Sequence, residues 1–187
     1  MDSYLTLIGS IIIGGLFMMN MQRFQADVKE HTYEQTYKLI MQSRAQNIID
    51  LVEWDFRQIG FGSPYDALTI YGTDKITYNV DLGNDGIIDS VHYQLSDVNA
   101  AASTSNPNDR ILYRWSNQDP IISVPLGVTN FSLVYYDRDG NETANKQEIK
   151  SIKVSLDFEN TEPIDGKYFG YHWSETITPL NLQSKLN

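Results

Sequence analysis

The sequence predicts an α+β fold in which a long amino-terminal helix packs against an antiparallel β-sheet head. Three observations carry that expectation. Residues 4–21 form an apolar run without a charge, residues 22–60 hold a proline-free helical periodicity, and after Gly62 the period switches to two. The 187 residues, 41% apolar and 20% charged, suit one domain or a tail plus one domain with a real core. The expected divisions are a transmembrane or filament-core helix over 1–23, an amphipathic helix over 24–60 that continues into the head, and a β-rich head over 61–187.

The first element reads YLTLIGSIIIGGLFMMNM. Its length is at the short end of what crosses a bilayer. Gly9, Gly14 and Gly15 interrupt the apolar surface, and Ser10 with Gly14 makes a small-xxx-small pair. Gly9, Ser10 and Gly14 are therefore the expected helix-packing residues, toward sister helices, with membrane lipid expected around the rest of the helix. Two readings compete with a retained membrane segment. A buried soluble helix fits poorly with an apolar surface on every side. A secretory signal peptide would need a positive n-region and a small-x-small cleavage pattern. Asp2 precedes the run while Arg23 and Lys29 follow it, so charge counting puts the carboxyl side in the cytoplasm.

From residue 22 onward apolar positions recur at Phe24, Val28, Tyr33, Tyr37, Ile40, Met41, Ala45, Ile48, Val52, Phe56 and Ile59, mostly three to five apart. Gly60, Gly62 and Pro64 stop the pattern. An unbroken helix from Tyr4 to Ile59 would be about 80 Å long at the standard rise. Any break is expected at Gly14-Gly15 or near Thr32. Glu53 and Arg57 are four apart and can pair on the surface. Asp55 is expected to be solvated or paired rather than catalytic.

In the head, Leu68–Tyr71 and Ile76–Val80 are short strand candidates. Val91, Tyr93 and Leu95 alternate with polar neighbours. Ile111, Tyr113 and Trp115 alternate with Arg110, Leu112 and Arg114. Phe131, Leu133 and Tyr135 form a further set, and Ile152, Val154, Leu156 and Phe158 give the cleanest two-faced strand. Asp139-Gly140 marks a turn in a ragged connection from Asp137 to Glu148. Residues 96–109 are small and polar and read as a flexible surface loop. Tyr168, Phe169, Tyr171, His172 and Trp173 form an aromatic patch expected to pack over the sheet.

Charge and composition exclude several functions. The net charge is −10, and the head carries 17 acidic against 9 basic residues, so no nucleic-acid partner is expected. With no cysteine there is no disulfide, thiolate nucleophile or cysteine-ligated metal. His31, His92 and His172 form no HExxH-type pair. No GxSxG elbow, phosphate loop, GxGxxG or triad spacing occurs, so an enzyme is not expected. Asp81-x-Gly-Asn-Asp85-Gly-x-x-Asp89 alternates oxygen ligands around glycine, which is calcium chemistry. Asp81, Asp85 and Asp89 are the candidate calcium ligands, against an acidic β-turn as the plain alternative. Asp137 to Glu142 has similar ingredients, which a hairpin tip explains.

An apolar helix that runs into an amphipathic helix and then a small β-rich head resembles the type IV pilins. Leu5-Thr6-Leu7-Ile8-Gly9 resembles the start of mature pilins, with Gly9 where a glutamate normally sits and Tyr4 where the glycine before leader cleavage would be. Residues 49–61, through Asp55, Arg57, Gly60 and Phe61, resemble the helix end of the W- and J-type minor pilins and pseudopilins. Asp85 to Asp89, Val91 to Tyr93, Leu112 to Arg114, Gly127 to Asp137 and Ile152 to Leu156 resemble the acidic turn, strands and closing hairpin of the same group. The resemblance implies a structural subunit of a pilus or a type II secretion-like filament, anchored in the bacterial inner membrane with its head outside the cytoplasm. Its implied partners are other pilin-like subunits and an inner-membrane assembly platform. A membrane-tethered adhesion or binding domain that does not polymerise is the alternative, followed by a soluble module.

Overall fold

The structure is a computed structural model that describes residues 2–117 and 122–183. The chain divides into two compact units, Met1–Ile40 and Met41–Asn187. Helix α1, Asp2–Arg57, is continuous for 56 residues, without a break at Gly14-Gly15 or Thr32. The absence of proline allows this, and glycine alone costs a helix only about 1 kcal/mol per residue. In the first unit the helix exposes Leu7, Ile8, Ile11, Ile12, Ile13, Leu16 and Phe17. The hydroxyls of Thr32 and Thr36 donate to the carbonyls of Val28 and Thr32, four residues back, and leave the helix intact.

The second unit is built on the last turns of α1 and one seven-stranded antiparallel sheet. The strands are β1 Leu68–Tyr71, β2 Lys75–Val80, β3 Asp89–Leu95, β4 Arg110–Ser116, β5 Ile122–Tyr136, β6 Ser151–Glu159 and β7 Gly170–Ile177. They lie side by side in chain order, a simple meander. A 3-10 turn, Val98–Ala101, precedes β4, and a short helix α2, Leu180–Gln183, follows β7. Every predicted strand region is present. The burial of β6 alternates without exception, as Ile152, Val154, Leu156 and Phe158 enter the core.

Ala45, Ile48, Ile49, Val52 and Phe56 form one helical stripe and, with Ile59 just past the end of α1, join the sheet's inner face in a single core. Phe56 packs edge-on against Tyr93 at 5.6 Å between ring centroids and lies tilted against Tyr78 at 6.1 Å. Each fully buried large side chain of this stripe contributes about 1.5–3 kcal/mol. Upstream, Phe24, Val28, Tyr33, Tyr37 and Ile40 follow the same period but stay exposed. The helix ends where Gly60 takes φ +78 and its N–H donates to the Asn79 carbonyl at 2.8 Å. A Cβ at Gly60 would lie 2.8 Å from that of Ala67, so the chain turns under β2 only with glycine there.

Three regions differ from expectation. In β4 the alternation holds, but the set turned inward is Leu112, Arg114 and Ser116, while Ile111, Tyr113 and Trp115 are half-exposed. Trp115 stacks on His92 of β3 across the outer face, 4.7 Å apart and nearly parallel. β5 begins nine residues earlier than its apolar alternation suggests and passes through Gly127 at φ +68. The aromatic segment near the carboxyl end does not pack over the sheet. Residues 170–177 extend the sheet instead, pairing Phe158 with Tyr171 and Leu156 with Trp173 as edge strand β7.

Candidate functional site

Two regions stand out, one in each compact unit. In the first, Ser10 and Gly14 are exposed, and a Cβ added at Gly9 or Gly14 would meet nothing within 4 Å. The Ser10 hydroxyl donates to the Leu7 carbonyl at 2.8 Å. That bond lets a serine sit on an apolar helix surface without a bare donor. Among the described residues this is the one helix long and apolar enough to cross a membrane. The predicted packing residues are thus on free helix surface in this chain.

The second region is a charge cluster inside the head. Asp55, fully buried on α1, meets Arg114 from β4, which is 5% exposed. Arg114 Nε donates to Asp55 Oδ2 at 2.6 Å and its terminal nitrogen reaches Oδ1 at 3.3 Å. The buried Tyr93 hydroxyl donates to Asp55 Oδ2 at 2.6 Å. Burial and then the Asp55 charge push the Tyr93 and Tyr78 hydroxyls well above the ordinary tyrosine range. For Arg114 burial acts to lower the value, but the Asp55 hydrogen bond and charge outweigh it and hold the guanidinium charged. The cluster is closed to solvent, so its task is geometric. A rotation of α1 by one residue would carry the buried Asp55 carboxylate off Arg114 and the Tyr93 hydroxyl, at several kcal/mol. The pair therefore fixes the angular setting of the helix on the sheet.

The sequence held a signal for this site. Asp55 lies three residues after Val52 and four before Ile59, on the apolar stripe rather than beside it. Arg57, by contrast, is on the surface as expected. It meets Glu53 at 3.5 Å and, more closely, Glu175 of β7 at 2.9 Å. Burial and then the Glu175 carboxyl raise the Glu53 value.

The acidic loop between β2 and β3 is wound tightly by its own carboxylates. Asp81 Oδ1 accepts the Asp85 N–H at 3.0 Å and Oδ2 the Gly86 N–H at 2.9 Å. Asp85 Oδ1 accepts the Ile87 N–H at 2.9 Å, and Asp89 Oδ2 accepts the Leu82 N–H at 3.3 Å. Asp81 and Asp89 are buried, Asp85 is exposed, and Asp89 Oδ1 is buried without a hydrogen-bond partner. The three carboxylates share a loop but not a single focus. Among the described residues no group of three or more His, Asp or Glu side chains is placed to hold a metal ion.

Compared with protein-family models, curated proteins and solved structures, the chain finds no match.

Proposed function

We propose that the chain is a minor pilin or pseudopilin subunit that initiates or caps a type IV pilus or a type II secretion-like filament. The observation that carries this reading is α1 itself. Over residues 4–21 the helix is uncharged and apolar on every side, and from Ala45 onward the same helix supplies the core stripe of a β-sheet head. A helix that is apolar all round needs lipid or other helices around it. The subunit is read as a single-pass protein of the bacterial inner membrane with its head outside the cytoplasm. Its partners are other pilin-like subunits and an assembly platform. Gly9 provides no carboxylate for a neighbour's amino terminus, so close contact through Gly9, Ser10 and Gly14 supplies the packing instead. Calcium is retained as the proposed ligand of the Asp81–Asp89 loop, supported by the buried, unpartnered Asp89 Oδ1.

Shearing filaments from cells that express the chain tests the reading. Recovery of the protein with other pilin-like chains in the sheared fraction is the expected result. A chain that stays wholly in the membrane fraction, as a monomer in detergent that cross-links to no pilin-like partner, would identify a tethered binding domain instead.

A further inference from the structure

The stretch between the 3-10 turn and β4 is tied to the far ends of β6 and β7. Ser105 Oγ donates to Glu162 at 2.7 Å, and the Tyr168 hydroxyl donates to the Ser105 carbonyl at 2.7 Å. The Asn106 amide donates to Glu159 Oε2 at 2.8 Å and to the Asn160 carbonyl at 3.1 Å. The Asn108 amide reaches Glu159 Oε2 at 3.3 Å.

Asp109 closes this stretch. It is 2% exposed, and neither of its carboxylate oxygens has a hydrogen-bond partner. Gly127 sits against the same carboxylate. A Cβ there would lie 3.8 Å from Asp109 Oδ1 and 1.9 Å from the Glu159 carbonyl oxygen. Among the described residues no Lys, Arg or His forms an ion pair with Asp109, Glu159 or Glu162. A buried carboxylate with neither donor nor counter-charge costs several kcal/mol. Burial, foremost, raises the Asp109 value; the nearby Thr104 hydroxyl, which donates to the Ala101 carbonyl, opposes this in part, and the Glu159 charge adds a smaller rise. Beside Asp109 lie the Glu159 carboxylate and, across Gly127, the Glu159 carbonyl oxygen, and such oxygens are the ligands of a hard divalent cation.

We propose that Asp109, with Glu159 beside it, forms a calcium-binding site that clamps the 102–109 loop to the end of β6 beside Gly127 of β5. The site is separate from the Asp81–Asp89 loop. Asp109 immediately precedes β4, whereas Asp89 is the first residue of β3, near where Val91 pairs with Ser116, at the other end of the same strand pair. Two acidic ligands place the affinity in the weak, millimolar class found in extracellular modules. The proposal does not depend on filament assembly.

Thermal unfolding of the full chain in detergent decides it. The experiment is run on Asp85→Asn protein, so that the Asp81–Asp89 loop does not supply the response. Millimolar calcium chloride, compared with excess chelator, is expected to raise the midpoint of head unfolding by about 2–4 °C. Adding Asp109→Asn is expected to abolish that rise. In chelator the Asp109→Asn protein should melt no lower than its parent, because the amide carries no buried charge. Where Asp109→Asn does not fold, calcium calorimetry on the Glu159→Gln variant makes the same decision, with lost or weakened heat as the expected result. Equal midpoints in calcium and chelator for the Asp85→Asn protein would overturn the proposal. So would a calcium response that Asp109→Asn leaves unchanged, or undiminished heat with Glu159→Gln.

Discussion

Residues 4–21 of α1 expose apolar side chains on all sides and carry no charge, whereas residues 45–56 bury a stripe that includes the charge of Asp55. This inverts an ordinary soluble helix, where charge faces out and hydrocarbon faces in. The backbone and its period are the same in both parts, so the difference lies in what each part is solvated by. The later part finds its apolar surroundings within the chain, and a buried arginine makes its one charge tolerable. The earlier part has no such surroundings within the chain, so every side of it must be free of charge. Burial therefore decides the cost of a substitution in the later part, whereas in the earlier part nothing within the chain does.

The largest effects should fall on the later part. Asp55→Ala removes the buried carboxylate that Arg114 and the Tyr93 hydroxyl share. It should cost about 3–5 kcal/mol in denaturant unfolding followed by tryptophan fluorescence. Pairing Asp55→Leu with Arg114→Met should recover most of that loss, since replacing both charges removes the desolvation cost. A double variant as unstable as the single one would show that the charges do more than set the helix angle. Gly127→Ala should cost more than about 1 kcal/mol, because φ +68 and the Glu159 carbonyl leave no room for a Cβ.

Smaller effects separate surface from core. Arg57→Ala removes contacts to Glu53 and Glu175 but leaves an exposed site, so the same unfolding assay should register less than about 1 kcal/mol. At the β5–β6 tip, Asp137 accepts the Asn141 and Asp139 N–H groups, both at 2.9 Å. The backbone bond from Asn141, foremost, holds its carboxyl below the ordinary range, and the Asn141 side chain and the Asp139 and Gly140 N–H groups add to it against desolvation. A depressed acid stabilises the fold above its unfolded value and loses that contribution as pH falls through its folded value. The Asn141 and Gly140 amide resonances should therefore hold steady down to the ordinary carboxylate range and move only below it. Movement already near pH 6 would contradict the assignment.

Helix length and most strands were legible because they rest on local signals: no proline from Tyr4 to Ile59, and alternation in β3, β5 and β6. Partners distant in sequence were not. Leu112, Arg114 and Ser116 form the less apolar half of β4, and they turn inward because Asp55 waits 59 positions earlier. Ile111, Tyr113 and Trp115 can then lie outside, where His92 offers Trp115 a stacking surface. Pro125 and Gly127 hid the first half of β5, since both usually punctuate a strand. The polar composition of residues 96–109 suggested a loose loop. Asn106 is buried instead, because Glu159 and Asn160 supply hydrogen-bond partners that no local window contains, and Asp109 is buried three residues on. At Asp81, Asp85 and Asp89 the spacing did announce a tight turn, and the structure accounts for it with backbone N–H bonds.

Cross-linking in cells tests most directly whether the first part of α1 meets other helices through its small residues. The chain has no cysteine, so single substitutions report cleanly. Ser10→Cys lies on the Gly14 face, and Ile12→Cys lies about 200° around the helix from it. Ser10→Cys is predicted to cross-link to pilin-like chains with high yield and Ile12→Cys with little. Gly14→Leu should abolish the Ser10→Cys product while the head melts at an unchanged temperature. Equal yields at the two positions, or none at either while filaments still form, would contradict packing through Gly9, Ser10 and Gly14.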